Sequence, residues 1–200
     1  MLASTNNRRI GVILAAGRGR RMGCTKQLVL WKGASGQKPL VTSAYDAIVE
    51  VCDEMVVVVG HDADAVAAAL ADRPFVKVQS DPDADMFQSV RAGLDAAHAA
   101  DPPATIVLQP GDHPEVAAAT LLKLLNAAEQ NLEKAVMPEY QGRGGHPVLI
   151  PPAIVKMLRS ADCRAGLGAF WCDHPDLRIR LPVDDPTVCY DVDTAERLRQ

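Results

Sequence analysis

Residues 10–26 read IGVILAAGRGRRMGCTK, an apolar run that passes directly into a loop of glycines and cations. The run Ile10–Leu14 is short and rich in β-branched residues, which is typical of a buried strand. Three glycines and four cationic side chains follow it, although the whole chain has a formal net charge of -4. Glycine lets the backbone N–H groups of a loop approach a ligand closely, and such groups bind phosphate oxygens. The stretch therefore predicts a strand that ends in a polyanion-binding loop.

Two common phosphate-binding loops do not match this stretch. The dinucleotide fingerprint requires a third glycine where Met22 stands, because that glycine packs helix on strand. The P-loop ends in Gly-Lys-Ser/Thr, whereas Gly23–Lys26 has a different order. By these residues alone, the alternative to a phosphate site is a polar turn with solvated arginines.

Composition narrows the class of protein. The chain has 200 residues, of which 48% are hydrophobic and 23% charged, as expected for one globular domain over residues 1–200. Five cysteines without a Cys-x-x-Cys pair argue against a disulfide framework or a structural zinc site. Only 4% of residues are aromatic and no basic stripe is present, so no nucleic-acid partner is expected. The longest early apolar run is too short for a membrane span or a signal peptide, which predicts a cytoplasmic protein without a membrane partner.

Strand and helix patterns alternate beyond the loop. Gln27–Trp31 is predicted to be extended and Lys32–Lys38 to be a polar turn. Further strands are predicted at Met55–Val59, Val76–Val78 and Thr105–Leu108, and helices at Leu40–Val51, Ala63–Ala71, Met86–Ala100 and Val116–Glu129. This alternation predicts an α/β fold with a Rossmann-like, three-layer, open and mostly parallel sheet. Ligands of such sheets bind beyond the carboxyl ends of the strands, which here carry the glycine loop, Gly60-His61, Gln79–Asp81 and Gly111-Asp112.

The last third of the chain is less regular. Strands are predicted at Ala135–Met137, His146–Ile150 and Leu177–Leu181, with helices around Ile154–Leu158 and Ala165–Trp171 and a terminal helix capped by Thr194. Because strict alternation is lost here, residues 138–180 are predicted to form a substrate-facing lid or subdomain.

Motifs spread along the chain resemble one enzyme family. The opening Leu14–Gly17, Arg21-Met22-Gly23 and Lys26 are similar to the signature of the molybdenum cofactor nucleotidyltransferases, the MobA-like NTP transferases. Gln88–Leu94, Asp112-His113-Pro114, Gly142–Leu149 and Asp191–Thr194 resemble the cytidylyltransferase, or MocA-like, branch. One departure is Gln109-Pro110-Gly111, where the family often has a short apolar run before its aspartate. The resemblance implies the nucleotide-diphospho-sugar transferase fold.

The resemblance also implies a reaction. A phosphate of the acceptor attacks the α-phosphorus of a nucleoside triphosphate with Mg²⁺ as cofactor, and pyrophosphate leaves. The implied catalytic residues are Arg21, Lys26 and Asp112; the nucleotide-binding residues are Leu14, Ala15, Ala16, Gly17, Arg18, Gly19 and Ser89; the metal ligands are Asp112 and Asp191; the acceptor-binding residues are Gly144 and His146. Nucleotidyl transfer depends mainly on positioning and on charge stabilisation, for which arginine, lysine and a metal-binding carboxylate are suited.

The substrates follow from finer features of the resemblance. In this family Leu-Ala-Ala-Gly accompanies CTP and Leu-Ala-Gly-Gly accompanies GTP, so Ala16 favours CTP over GTP. Another nucleoside triphosphate stays open as the substrate. The Gly-Gly-His-Pro segment favours a molybdopterin acceptor, and a molybdoenzyme or its maturation factor is then a possible partner. Asp191 is preferred to Asp193 as second metal ligand, because alternate residues of an extended segment face opposite sides and Asp193 precedes a helix.

Each of these residues has an alternative interpretation. Asp112 could be the N-cap of the helix that follows it, and Asp184 and Asp185 are predicted to form a solvated turn. None of the histidines is predicted to be a general base, Trp171 is predicted to be in the core, and Arg21 and Lys26 are expected at the surface. Three functions stay open: a molybdopterin cytidylyltransferase, an enzyme of the same fold for a sugar phosphate or an isoprenoid-precursor alcohol phosphate, and a non-catalytic nucleotide-binding protein.

Overall fold

A computed structural model describes residues 8–17, 25–33, 36–81, 83, 85–99, 103–161 and 166–192. The strands in these ranges are β1 Arg9–Ala15, β2 Leu30–Gly33, β3 Gly36–Pro39, β4 Glu54–Val59, β5 Val76–Gln79, β6 Thr105–Pro110, β7 Ala135–Tyr140, β8 Arg143–Gly144, β9 Val148–Ile150 and β10 Arg178–Pro182. The α-helices are α1 Leu40–Asp46, α2 Ala63–Ala68, α3 Met86–His98, α4 Ala118–Gln130, α5 Pro152–Ser160 and α6 Leu167–Asp173. No helix in the described ranges is long and apolar enough to cross a lipid bilayer.

The main sheet has the strand order β10-β7-β9-β6-β1-β4-β5, and β8 pairs with β7. β1 lies in the centre and pairs in parallel with β4 and β6, while β4 pairs in parallel with β5 and β7 with β10. β9 runs antiparallel between β6 and β7. The predicted open and mostly parallel sheet is thus confirmed, and the loss of alternation in the last third reflects the insertion of β9.

The sheet is covered on both faces, as the apolar runs of its strands require. Along β1, Ile10 and Val12 pack into one core cluster, and Ile13 and Ala15 pack into another on the opposite face. The first cluster includes side chains of α3, α5 and α6, and the second includes side chains of α1, α2 and α4. The sheet and the helices on its two faces form three layers, which confirms the predicted architecture.

The segment after the glycine loop differs from the prediction. A 3-10 turn at Lys26–Leu28 replaces the start of the expected extended segment, and the expected turn Lys32–Lys38 belongs to an antiparallel hairpin of β2 and β3. The hairpin is anchored by Trp31, which is buried against Leu40 and Val192. Residues 192 and 31 are distant in sequence, so local polarity could not indicate this packing.

Candidate active site

The carboxyl ends of four parallel strands meet at one edge of the sheet. Register pairs Ala15 with Val59, Val59 with Gln79 and Leu14 with Pro110. The segments that follow, Ala16-Gly17, Gly60, Ser80-Asp81 and Gly111-Asp112, therefore lie at the same edge. Gly60 is required at this edge, because a Cβ there would overlap the carbonyl group of Ala16.

A cavity of about 970 Å³ opens at this edge of the sheet. Eight of the predicted site residues line it: Leu14, Ala16, Gly17, Ser89, Asp112, Gly144, His146 and Asp191. Its volume is at the upper end of the range of small-molecule and cofactor sites, which suits a ligand of nucleotide size.

Not every predicted site residue is in this lining. The side chain of Ala15 is 3% exposed and packs in the core cluster on the other face, because it alternates with Leu14 and Ala16 along the chain. Arg18, Gly19 and Arg21 lie outside the described residues, as do Asp193 and the expected helix at Thr194.

Lys26 and Asp112 form an ion pair in the site. Lys26 Nζ lies 2.7 Å from Asp112 Oδ2, and the side chains are 10% and 28% exposed, respectively. The expectation that Lys26 is a surface residue is therefore wrong, since the 3-10 turn that begins at this residue directs its side chain against the end of β6. Asp112 does not cap the next helix either, because α4 begins at Ala118 with Ala117 at the N-cap position.

Asp191 is brought beside Asp112 by the backbone. The N–H of Val192 donates a hydrogen bond to the carbonyl oxygen of Asp112, with an N···O distance of 3.2 Å. Val192 is fully buried with Trp31 and Leu40, which anchors the end of the described chain against the β6 loop. Both carboxylates then line the same cavity.

The donor set fits Mg²⁺ held jointly by protein and substrate. Magnesium takes one or two carboxylates, keeps several waters and binds substrate phosphates. Asp112 and Asp191 supply the carboxylates, and the glycine turn at Gly17 leaves space for phosphates in the same cavity. No group of three or more His, Cys, Asp or Glu side chains that could hold a metal occurs within the described ranges. A metal bound by these two carboxylates would take its other ligands from solvent or substrate.

Two histidines lie in contact in the lining of the cavity. The rings of His113 and His146 meet edge to face, with their centroids 4.9 Å apart. Burial lowers the pKa of His146 to about 3, and His113 adds a smaller contribution. The backbone N–H of His146 donates a hydrogen bond to the carbonyl oxygen of Val188, with an N···O distance of 2.8 Å. At neutral pH His146 can offer hydrogen bonds, but not a positive charge.

Two buried glutamines were not predicted as site residues. Gln27 lines the cavity and is 6% exposed; its Nε2 donates to the carbonyl of Gly17 at 3.1 Å. Gln109 is fully buried, and its Nε2 donates to the carbonyl of His113 at 2.7 Å. In the described part of the chain, neither Oε1 has a hydrogen-bond partner. The sequence did contain a signal for Gln109, since a glutamine inside an otherwise apolar strand is unusual. In the structure its hydrogen bond to the His113 carbonyl stabilises the loop that carries Asp112.

The prediction of a solvated turn at Asp184 and Asp185 is wrong for Asp185. Asp185 is 5% exposed and accepts hydrogen bonds from the N–H groups of Ala117 and Thr187, both at 3.0 Å, and from the Thr187 hydroxyl at 2.6 Å. Burial raises the pKa of Asp185, but hydrogen bonds from Thr187, Ala117 and Thr120 outweigh it and lower the pKa overall. This carboxylate connects the start of α4 to the turn before Asp191.

Trp171 is buried in the core as predicted, with 4% exposure, and it also lines the cavity. It shares that wall with Gly166, Leu167 and Gly168 of the segment around α6. Within the predicted lid at residues 138–180, β9 and α5 contribute side chains to the core, whereas Gly144–His146 and the α6 segment face the cavity.

Comparisons with known proteins show the family and agree with the fold. Residues 11–177 match the model of the MobA-like NTP transferase domain. The nicotine blue oxidoreductase of Paenarthrobacter nicotinovorans is 31% identical over 204 residues, which cover 94% of this chain and 93% of that protein. The crystal structure of Rv0371c from Mycobacterium tuberculosis is 28% identical with a TM-score of 0.80, and 96% of each chain is covered. A complex of that protein with manganese, at 25% identity, has a TM-score of 0.70 over 96% of each chain. The chain belongs to the family of MobA-like NTP transferase domains.

Proposed function

We propose that this protein is a magnesium-dependent cytidylyltransferase that transfers CMP from CTP to a phosphorylated acceptor, for which molybdopterin is the favoured candidate. The observation that carries the proposal is the ion pair of Lys26 with Asp112, because Asp112 lines one cavity together with Asp191 and with Gly17 after β1. This set combines a cation for phosphates with two carboxylates for a metal.

The proposed mechanism is an in-line displacement. An oxygen of the acceptor phosphate forms a bond to the α-phosphorus of CTP, the bond to the β-phosphate bridging oxygen breaks, and pyrophosphate leaves. Lys26 and Arg21 attract the triphosphate, and Lys26 also pairs with Asp112. Asp112 and Asp191 would hold Mg²⁺, which supplies charge neutralisation for the phosphate oxygens. The backbone at Gly17, held by Gln27, can approach the phosphates closely.

The choice of CTP rests on the pocket beside Ala16. The methyl group of Ala16 occupies space that a glycine would leave open, so a pyrimidine fits better than a purine. Ser89 lies at the same wall, and its hydroxyl is 3.0 Å from that of Ser80, which fixes its position.

The acceptor is proposed to lie against Gly144 and His146, with residues 138–180 as a lid. His146 is neutral, so it suits a polar heterocycle better than a second phosphate group. A molybdoenzyme or its maturation factor is the proposed receiver of the product, and the cytoplasm the proposed location.

The central test is a screen for pyrophosphate release. CTP, GTP, UTP and ATP are each combined with Mg²⁺ or Mn²⁺ and with molybdopterin, a sugar phosphate or an isoprenoid-precursor alcohol phosphate. Release with CTP and molybdopterin supports the proposal, whereas preference for a sugar phosphate or an alcohol phosphate selects the alternative acceptor class. If calorimetry shows that GTP binds more tightly than CTP, the assignment of the base is wrong. Binding of nucleotide without any release indicates the non-catalytic alternative.

The metal ligands are tested by removal of single charges. Metal-assisted stabilisation is worth several kcal/mol, so Asp112→Asn and Asp191→Asn should each lose about a hundredfold or more in turnover at saturating CTP and magnesium. Asp193→Asn is the comparison, and the exposed Asp176→Asn is the control for loss of a carboxylate in general. Normal turnover in Asp112→Asn contradicts the mechanism, and a loss in Asp193→Asn instead of Asp191→Asn reverses the assignment of the second ligand.

A second candidate function comes from the relative named as nicotine blue oxidoreductase, because its 31% identity extends over most of both chains. The same preparation should be assayed for reduction of nicotine blue with NADH or NADPH as hydride donor. Reduction without any nucleotidyl transfer selects the oxidoreductase. We favour the transferase, because the Lys26–Asp112 pair and Asp191 are suited to a metal-bound triphosphate.

A further inference from the structure

A second cavity, of about 310 Å³, lies behind the loop that carries Asp112. Its walls come from the β2–β3 hairpin, α1 and the segment Pro114–Ala117, and they include the side chains of Lys38, Ser43, Asp46, Glu115 and Thr187. It shares no lining residue with the active-site cavity. None of the residues predicted from the sequence as functional belongs to it.

Ser43 places an unsatisfied hydroxyl in this second cavity. The residue is 4% exposed, and its Oγ has no hydrogen-bond partner within the described ranges. The neighbouring Thr42 shows the usual arrangement, since its hydroxyl donates to the carbonyl of Ala69 at 2.9 Å. A buried hydroxyl without a partner is costly, so the Ser43 hydroxyl indicates a group that enters the cavity.

Glu115 places a negative charge in the same cavity. Its Oε1 accepts a hydrogen bond from the Trp31 indole at 3.3 Å, and it makes no salt bridge among the residues that the structure describes. Gly33 makes this position possible, because a Cβ there would lie 2.5 Å from Glu115 Oε1.

The other charges of the cavity are already paired. Lys38 Nζ lies 2.5 Å from Asp46 Oδ2, and Asp46 also binds Arg73, with 2.7 Å between Oδ1 and Nε. Lys38 and Arg73 thus share the carboxylate of Asp46, whereas the carboxylate of Glu115 makes no such contact within the described ranges. A ligand beside Glu115 meets a carboxylate that has no cationic partner among the described residues, so this part of the cavity favours a cation with N–H donors.

We propose that this cavity is a second ligand site, for a small organic cation that carries N–H donors, such as an ammonium, amidinium or guanidinium compound. The cation pairs with the Glu115 carboxylate and donates a hydrogen bond to Ser43 Oγ. The site is distinct from the nucleotide cavity and lies on the α1 and α4 face of the sheet.

The position of the second cavity couples it to the proposed catalytic residues. Pro114–Ala117 directly follows Asp112 and His113, and the segment is held at its two ends by Gln109, through the His113 carbonyl, and by Asp185, through the Ala117 N–H. A ligand against this segment is expected to change the position of Asp112, and therefore the affinity for nucleotide. Coupling between two sites is reciprocal, so nucleotide should change the affinity for the cation by the same factor. This part of the inference rests on the proposed function.

The test is a titration of the 200-residue chain, without nucleotide, against benzamidinium, benzamide and benzoate. These three probes have nearly the same shape and differ in charge and in hydrogen-bond donors. Calorimetry and NMR should show binding of benzamidinium, weaker binding of benzamide and none of benzoate. Glu115→Gln keeps an acceptor for Trp31 but removes the charge, and it should weaken benzamidinium binding by about fivefold or more, as should Ser43→Ala. Glu133→Gln, an exposed carboxylate beyond α4, is the matched control and should bind as the wild type does.

Three results would overturn the site. They are the absence of benzamidinium binding at millimolar concentration, equal binding of all three probes, and unchanged binding in both Glu115→Gln and Ser43→Ala.

Ala47→Leu should fill the cavity and abolish binding, and its melting temperature shows whether the variant is folded. A second titration, of CTP with magnesium in the presence of benzamidinium, measures the coupling. The first titration contains no nucleotide, so the absence of benzamidinium binding contradicts only the proposed second site. The absence of CTP binding contradicts only the proposed function.

Discussion

The ion pair between Lys26 and Asp112 is the residue-scale feature on which the site depends. The ammonium is largely buried, and it compensates a carboxylate that is itself only 28% exposed. Removal of one member of such a pair leaves the other charge partly buried and uncompensated, which is costly. The stability of the loop and the chemistry of the site therefore share the same two side chains.

A double-mutant cycle tests this pair. We expect Lys26→Met and Asp112→Asn each to destabilise the protein, and the double variant to recover a coupling free energy of about 1–3 kcal/mol. Urea unfolding of the four proteins measures it. The exposed pair Lys77 and Asp64, 3.6 Å apart, is the matched control and should show no measurable coupling. A coupling near zero for Lys26 and Asp112 contradicts the contact.

The neutral His146 makes stability depend on pH. Its pKa is lowered by burial from 6.5 to about 3, so the unfolded chain binds a proton below pH 6.5 that the folded protein does not bind until about pH 3. Stability therefore falls as the pH falls through this window. We expect His146→Gln to show a smaller loss between pH 7.5 and 5 in urea unfolding. His61→Gln, at an exposed position, should have a profile parallel to that of the wild type, and a parallel profile for His146→Gln would argue against a neutral imidazole at this half-buried position.

At the scale of elements, the start of α4 depends on a residue far along the chain. Ala117 at the N-cap position has no capping side chain of its own, and its N–H is instead satisfied by Asp185. The same carboxylate accepts from Thr187, so α4 and the turn Pro186–Cys189 share one acceptor. Pro114–Ala117 lies between Asp112 and α4. The hydrogen bond from the Ala117 N–H to Asp185 therefore also limits the movement of Asp112.

Asp185→Ala should therefore destabilise the fold by about 1–3 kcal/mol, because it removes the acceptor of the Ala117 and Thr187 N–H groups and the cap of α4. Asp184→Ala at the adjacent exposed position should have little effect. Since the folded-state pKa of Asp185 is lowered, its stabilising contribution is present above pH 4 and is lost at lower pH. Chemical unfolding at pH 7 and pH 3 measures both effects. Equal stability of the two variants at pH 7 would show that the carboxylate does not support α4.

On the scale of the whole molecule, the candidate site exists only in the folded chain. Its walls come from β1, β6, α3, α6 and the segment at Asp191. A ligand of this cavity binds the native state alone and stabilises it by mass action.

We expect CTP with magnesium to raise the melting temperature, by several degrees at a concentration 100 times its dissociation constant, which corresponds to about 2.7 kcal/mol. GTP with magnesium should have a smaller effect at the same concentration. EDTA, or the Asp191→Asn variant, should remove the metal-dependent part. A shift that is the same with and without magnesium contradicts the proposed carboxylate site.

Much of the architecture can be predicted from periodicity. The apolar runs of β1, β4 and β6 and the alternation with helices indicate a parallel sheet, and the polar residues after each strand indicate the edge at which a ligand binds. The spaced motifs in the chain also indicate the family, since they need only the order of residues. The β2–β3 hairpin and the inserted β9 could not be predicted, because they depend on partners that a local pattern does not contain.

The sequence by itself determined the core strands, the sheet edge and the family, because these follow from local spacing and from motifs that are read without knowledge of contacts. Tertiary structure alone decided how the charges are used. It buried Lys26 against Asp112, 86 residues away, and it brought Asp191 to the same cavity through the backbone of Val192. It also buried Asp185, which was expected to be solvated, as an acceptor of hydrogen bonds. The physical reason is that the pairing and burial of a charge are set by segments that meet only when the chain has folded.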